Sequence, residues 1–425
     1  MLLSQRMHSM RVVQVLICLG SVFAWPRFRA LQQTTITATP SSASATSSST
    51  GTTTTSSSTT TTPISGQNIT ELVAQLANST EPNRYRLNVV YTLLQTNCGA
   101  RIRSILEEGE QQNRTVFLPV DEAFGALSRL LGGGGLTLDC GRECKGNPFE
   151  VSAGDGGNML QNVLACLPEM MAYHVVQNAS VIFNTSNMTF VDSLRLEQQE
   201  EQQQITNVTV LETALNGTSA LVDMEQNQVI IANSTSNGTY LNYGFQDPAQ
   251  VISEPLNATD GTVYLINRFL LPPLPLNATL LLANQTLFLN NSLQNGQQQN
   301  YSNVTLFVPL DQAICPDGQQ DQCQVNLNAT DYVIPQVLYA NDTLLDSGIE
   351  VQNLNNQTLQ VNMTQEFNIT VNGTPVAIPN VPFAGGVIHF LNGTLSSATE
   401  TATGSTATGG ASATATTGTT GASRT

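Results

Sequence analysis

Positive charge is scarce in this chain. Fifteen Lys and Arg stand against 31 Asp and Glu, a net charge of −16, and Lys145 is the only lysine in 425 residues. Binding to nucleic acid requires basic surface to neutralise phosphates, so that class is excluded. An anionic membrane surface is an equally poor partner. Histidine is nearly absent. Of three in all, only His174 and His389 lie beyond the first 24 residues, and they are far apart. A Ser-His-Asp arrangement has little to draw on, and no G-x-S-x-G string is present. The "LGGGGL" from Leu131 to Leu136 lacks the Lys-Ser/Thr of a phosphate loop and follows a helical pattern rather than a strand. The acid pairs Glu107-Glu108 and Glu200-Glu201 sit in polar runs, which read as solvated faces. No enzyme, cofactor or metal site is expected.

Long apolar runs are also missing after the N-terminus. Arg6 and Arg11 precede "VVQVLICLGSVFA", which ends at Ala24 with a small-residue cleavage pattern. Residues 1–24 read as a secretory signal, too short for a confident span. Residues 25–65 are dominated by Ser and Thr, as are residues 396–425 together with Gly and Ala. Neither tract has the apolar content to offset chain entropy, and both read as disordered, O-glycosylated stalks. The end, "GASRT", carries no hydrophobic tail of the kind a GPI signal needs. A secreted protein of the extracellular space or cell wall is expected, with no transmembrane segment after signal cleavage.

Six cysteines remain after Cys18 leaves with the signal. An even number in a secreted chain points to disulfides. Cys315 and Cys323 stand apart and are expected to pair. Cys98, Cys140, Cys144 and Cys166 allow three pairings, of which Cys98 with Cys166 and Cys140 with Cys144 is the one expected. The C-x-x-x-C at Cys140 has no neighbouring ligand pair that would make it a metal site.

Asparagine is abundant, and 23 Asn-x-Ser/Thr sequons run from Asn68 to Asn392. Asn68, Asn113, Asn178, Asn207, Asn257, Asn303, Asn362, Asn368 and Asn392 are among the candidate N-glycosylation sites. Near residue 360 the phase is informative. Leu359, Val361, Met363, Phe367, Ile369 and Val371 are odd-numbered, whereas the sequon residues Asn356, Asn362, Asn368 and Asn372 are even-numbered. Strand side chains alternate, so one face packs and the other bears sugar. Asn372-Gly373 then supplies a hairpin turn.

Two strings occur twice. "TVFLPVDEAF" from Thr115 returns as "TLFVPLDQAI" from Thr305. Each is a β-prone run that Pro119 or Pro309 ends or confines to an edge, followed by Asp121 or Asp311 as a helix N-cap. After Asp121, helical spacing brings Phe124, Leu127 and Leu131 to one face. "DGTVYLINRFLLPP" from Asp260 and "GGVIHFLNGTL" from Gly385 are the second pair: a glycine turn, then an apolar strand. Each half opens with one string and closes with the other, which is a domain duplication.

These two strings resemble the first and second conserved boxes of fasciclin (FAS1) domains. Thr115, Phe117, Pro119 and Asp121 match the first box, as do Thr305, Phe307, Pro309 and Asp311. Gly386 and His389 match the second. The family often carries a Tyr-His pair between its boxes, and "MMAYHVV" supplies Tyr173 and His174. In the second half the corresponding string is taken as "VLYAND", with Tyr339 kept and His lost. Tyr264 stands where the second half has His389. The boxes lie 146 residues apart in the first half (Thr115 to Gly261) and 81 in the second (Thr305 to Gly386), so the second is expected to lack a helix or two.

The resemblance implies an α+β fold: two tandem FAS1-like β-sandwich wedges with packed helices, at 66–274 and 275–395. It implies extracellular adhesion or wall and matrix association, with extracellular proteins or cell-surface or cell-wall polysaccharide as partners. The alternative is a carrier holding a small apolar or sugar ligand. Tyr173 and His174 are the candidate partner-binding pair, but the apolar neighbours in "AYHVV" and "VIHFL" favour histidines buried in strands.

Overall fold

The computed structural model describes residues 66–79, 85–96, 98–107, 114–124, 144, 165–177, 181, 183, 205–294, 301–315, 327–340, 348–364 and 368–395. The signal, both stalks, Leu127, Leu131, Phe367, Asn113, Asn178, Cys140 and Cys323 lie outside the described residues.

Three helices precede the first box. In α1 (Ile69–Ala77), Asn68 accepts from the Glu71 N–H while the Glu71 carboxylate accepts from the Asn68 N–H, a capping box that satisfies two orphan donors. The helix buries Ile69, Leu72 and Val73. Helix α2 (Asn88–Gln95) buries Val90, Leu93 and Leu94, and α3 (Gly99–Glu107) buries Ile102 and Leu106. Their apolar positions recur every three or four residues, which sets one face of each against the core.

The repeated strings are neighbours in space. Strand β1 (Thr115–Pro119) is the first box. After a 3-10 turn (Asp121–Phe124) come α4 (Leu167–Ala172) and β2 (Val175–Val176). Strands β3 (Ile205–Glu212), β4 (Val229–Thr235), β5 (Gly238–Asn242) and β6 (Ala249–Gln250) form an antiparallel sheet in that order. The chain then makes β7 (Leu256–Ala258) and β8 (Gly261–Ile266), the second box. Strand β8 lies parallel to β1, Thr115 opposite Thr262 and Phe117 opposite Tyr264, in a sheet ordered β2-β1-β8-β7. Strand β1 is therefore interior and buried at every position, and Pro119 ends it.

The second half repeats the plan. Helices α5 (Leu276–Leu282) and α6 (Thr286–Gln294) precede β9 (Val304–Pro309) and the short α7 (Asp311–Ile314). A 3-10 turn (Ala329–Tyr332) leads into β10 (Val333–Ile334). It stands where the first half has the six-residue α4, part of the shortening the box spacing predicts. Strands β11 (Ile349–Gln352), β12 (Thr358–Met363), β13 (Ile369–Val371), β14 (Thr374–Phe383) and β15 (Gly386–Leu391) complete it. Strand β15 runs parallel to β9, and the sheet order is β10-β9-β15-β14-β13-β12-β11. Two register shifts in β14 let one long strand serve both β15 and β13. The first half uses two separate sheets for the same purpose.

Two apolar cores result. One is built from residues between Ile69 and Leu270, the other from residues between Leu280 and Leu391. The alternation near residue 360 holds: Leu359, Val361, Met363, Ile369 and Val371 are buried, Asn356 and Asn368 are exposed, and Asn362 and Asn372 are half-buried. Asn372 and Gly373 take φ of 48° and 80°, the turn that joins β13 to β14.

The cysteine pairing differs from expectation. Cys144 bonds Cys166, with Cα atoms 4.6 Å apart, which overturns both Cys98–Cys166 and Cys140–Cys144. Cys166 precedes α4, and the bond ties the insertion after the first box to the start of that helix. A three-residue spacing favoured Cys140–Cys144 in sequence, but pairing follows Cα separation after folding. Cys98 and Cys315 are each disulfide-bonded as well.

Candidate binding cleft at the domain junction

The first-box aspartates do not cap their own helices. Asp121 accepts from the Val89 N–H at 2.8 Å and the Asn88 amide at 2.9 Å, so it caps α2 from a distance. Asp311 accepts from the Thr286 N–H at 2.8 Å, the Leu287 N–H at 3.1 Å and the Thr286 hydroxyl, and so caps α6. Each carboxylate reaches back to a helix that precedes its strand. The proline ahead of it ends the strand where that helix begins. Asp311 is almost fully buried; burial raises its carboxyl, and the hydrogen bonds from Leu287 and Thr286 partly oppose this. Asp311→Ala strands two backbone donors in the core and is expected to cost about 3 kcal/mol, seen as an earlier second-domain melt. Asp121→Ala, at a half-exposed site, should cost clearly less. Equal losses would contradict this assignment.

The box threonine and the second-box aromatic form a clamp, and they do so twice. Thr305 Oγ1 accepts from the Leu338 N–H at 2.8 Å and donates to Gln336 O at 2.8 Å. His389 Nε2–H donates to Leu338 O at 2.9 Å. In the first half Thr115 Oγ1 accepts from the Val181 N–H at 3.2 Å, and the Tyr264 hydroxyl donates to Val181 O at 3.0 Å. Val181 and Leu338 are thus equivalent. The strand pairs fix the rest: Val176 faces Thr115 as Ile334 faces Thr305, so Tyr332 occupies the place of His174. Tyr339 is not the counterpart of Tyr173, because it lies beyond the short strand. The two tyrosines have similar aliphatic neighbours, and strand register separates them.

Tyr173 and His174 are fully enclosed. The Tyr173 hydroxyl donates to Val229 O at 2.7 Å. His174 Nε2 accepts from the Leu270 N–H at 3.0 Å, which leaves Nδ1–H to donate to Met170 O at 2.9 Å. Its ring packs 4.6 Å from that of Phe269. Burial lowers both His174 and His389 from 6.5 to about 4. Neither Tyr173 nor His174 offers an atom to solvent, so contact with a partner would require opening the core.

The segment clamped in the second half carries the junction. Asn380 holds its far end, accepting from the Ala340 N–H at 2.8 Å and donating to Ala340 O at 2.7 Å. Tyr339 packs against Val208, Val210, Val229 and Ile231 on the outward face of β3 and β4. A second seam joins the halves nearby. The buried Gln228 amide donates to Ala384 O at 2.9 Å, as does the Asp223 N–H at 2.9 Å. The Glu225 N–H donates to Asn303 Oδ1 at 3.1 Å, and Phe245 meets Phe390 edge-on at 5.7 Å.

Between Tyr339 and the outer face of β3 and β4 lies a cleft of about 390 Å³, lined by Val210, Glu212, Gln226, Asn227, Val229, Val337 and Tyr339. Both halves contribute walls. Burial, with the Glu212 carboxylate as a second cause, holds the Tyr339 phenol protonated far above its ordinary range. Of these residues only Tyr339 is singled out by a motif, and there as the counterpart of Tyr173 rather than as a cleft wall. The available signal was β3 itself, where Val208, Val210 and Leu211 put apolar side chains on both faces.

The sequon residues Asn207, Asn257, Asn368 and Asn392 are exposed, and Asn68, Asn303 and Asn362 are half-buried. Among the described residues no group of His, Cys, Asp and Glu is placed to hold a metal, and no helix is long and apolar enough to cross a membrane.

The fasciclin domain family model matches residues 86–272 and 276–397. A fasciclin-like arabinogalactan protein from Cercospora beticola is 26% identical over 168 residues, 38% of this chain and 44% of that protein, so the chain spans under half the length of this relative. Among solved structures, a FAS1 domain pair from the insect cell adhesion molecule fasciclin I aligns with 73% of this chain and 96% of its own, at 15% identity and a TM-score of 0.29.

Proposed function

The chain belongs to the fasciclin domain family, and from that premise we propose that it is a secreted adhesion glycoprotein of the cell wall or extracellular matrix. The observation that carries this reading is the pair of family domains with sequon asparagines at outward positions such as Asn207, Asn257, Asn368 and Asn392. Family membership also favours a non-catalytic role. The Ser/Thr-rich stretches at 25–65 and 396–425 act as stalks that hold the pair away from its attachment. The hydrogen-bonded seam at Ala384 and Gln228 joins the two domains and supports a composite surface for a partner. Individually weak contacts gain strength when many copies face one wall or matrix. Partners are extracellular proteins and surface polysaccharide.

Binding of the secreted protein to cell-wall polysaccharide and to whole cells tests this, before and after enzymatic removal of its glycans. Saturable binding in both states places the adhesive surface on the domains. Binding lost with the sugars makes the glycans the ligand. Failure in both states overturns adhesion and leaves a carrier role, which the junction cleft favours.

A further inference from the structure

We propose that the cleft between Tyr339 and the β3–β4 face is a binding site for a neutral saccharide, one or two sugar residues at a chain end. The proposal deepens the wall-association reading and rests on it for the source of the sugar, but the chemistry comes from the lining. Val210, Val229 and Val337 give an apolar surface, and Tyr339 adds a ring with a hydroxyl. Glu212, Gln226 and Asn227 give one carboxylate and two amides. A carboxylate accepts hydrogen bonds from paired hydroxyls, and an amide both donates and accepts. That combination fits a pyranose, which has a C–H face and a rim of hydroxyls.

Other ligand classes fit less well. An anion would meet Glu212 in a chain of net charge −16, with no Arg or Lys in the lining. A wholly apolar ligand would bury Glu212, Gln226 and Asn227 without partners, at a cost for each. A cation would use Glu212 and the two amide oxygens but would leave the amide N–H donors and the apolar wall without a partner. A volume of about 390 Å³ lies at the small end of the roughly 300–1,000 Å³ range of ligand pockets, which limits the occupant to a short saccharide.

The site is also prebuilt. Tyr339 and Val337 sit on the segment that Thr305, His389 and Asn380 hold by five hydrogen bonds to Gln336, Leu338 and Ala340. The opposite wall is anchored from behind, where the Tyr173 hydroxyl holds Val229 O and Gln228 is tied to Ala384. The box residues therefore position a cleft that they do not themselves line. Because the walls come from both domains, a bound sugar would bridge them.

Saturation-transfer NMR on the full-length, enzymatically deglycosylated protein tests this with cellobiose, laminaribiose, gentiobiose and mannobiose. Digalacturonic acid serves as the anionic control and a lysine dipeptide as the cationic one. At least one neutral disaccharide is expected to give a saturable signal. Glu212→Gln with Gln226→Ala, both at exposed positions, should weaken it at least tenfold without moving the melting temperature. Tyr339→Phe, which keeps the ring, should lose less. Absence of signal from all four neutral disaccharides overturns the proposal, as does binding unchanged in the double variant or preference for either charged control. Polysaccharide and whole-cell binding by the same preparations separates the two readings. Adhesion without disaccharide binding defeats the cleft alone; loss of both defeats adhesion too.

Discussion

Gly386→Ala is expected to remove the second domain's cooperative melt near physiological temperature. Gly386 opens β15 at a φ of +153°, and a Cβ there would collide with the Val304 carbonyl of the adjoining parallel strand. Backbone strain of roughly 1–3 kcal/mol adds to a similar overpacking term, so the total is about 4 kcal/mol. The colliding atom is main chain in a buried sheet, so no side chain can turn aside to make room. Gly373→Ala is the control. Gly373 also has a positive φ, +80°, but nothing lies within 4 Å of its added Cβ, so about 1 kcal/mol is expected. Calorimetry on the two variants decides. A Gly386→Ala melt close to that of Gly373→Ala would show that β9 and β15 separate easily, and the shared plan of the two domains would need another basis.

Acid is the second strong perturbation. His174 and His389 each fall from 6.5 when unfolded to about 4 when folded. The unfolded chain then binds protons that the folded one refuses. Stability is full above pH 6.5, declines as pH falls toward 4, and the loss is complete below 4. At 1.36 kcal/mol per unit, each histidine withdraws about 3 kcal/mol from its own domain. The causes differ in detail. A proton on His174 Nε2 would confront the Leu270 N–H that this nitrogen now accepts. A proton on His389 Nδ1 would have no acceptor, because that atom is buried without a partner. The first domain places Tyr264 at the His389 position, with its hydroxyl on Val181 O. His389→Tyr should therefore flatten the second domain's stability between pH 6.5 and 4 and leave the first domain's slope unchanged. Urea midpoints at pH 7, 5.5 and 4 give those slopes. An unaltered slope in the variant would assign the acid response to carboxylates.

Much of the fold was legible because its signals are local. The strand-proline-aspartate unit at Thr115 and Thr305, the glycine-led strands at Gly261 and Gly386, and the odd-even phase from Leu359 to Val371 all depend on residues a few positions apart. Repetition of both strings identified two domains without any long-range information. The same locality explains the failures. Asp121 and Asp311 look like caps and are caps, but for α2 and α6, helices 25 or more residues earlier. Cys140 and Cys144 are near neighbours in the chain, yet Cys144 bonds Cys166. Tyr339 resembles Tyr173 by its setting of aliphatic residues, but strand register gives the equivalent place to residue 331.

The amino-acid sequence by itself determined the duplication, the strand and turn units, and the class of fold. Those follow from composition and from periods of two and three to four residues, which a linear string displays. Tertiary structure alone decided which helix each aspartate caps, which distant backbone groups Tyr173 and His174 bond, which cysteine meets Cys166, and that Tyr339 closes a cleft against β3 and β4. Each of these joins residues more than twenty positions apart in the chain, such as Cys144 with Cys166, Asp311 with Thr286 and Asp121 with Val89. No local period displays a contact at that separation, because it exists only once the strands and helices have packed.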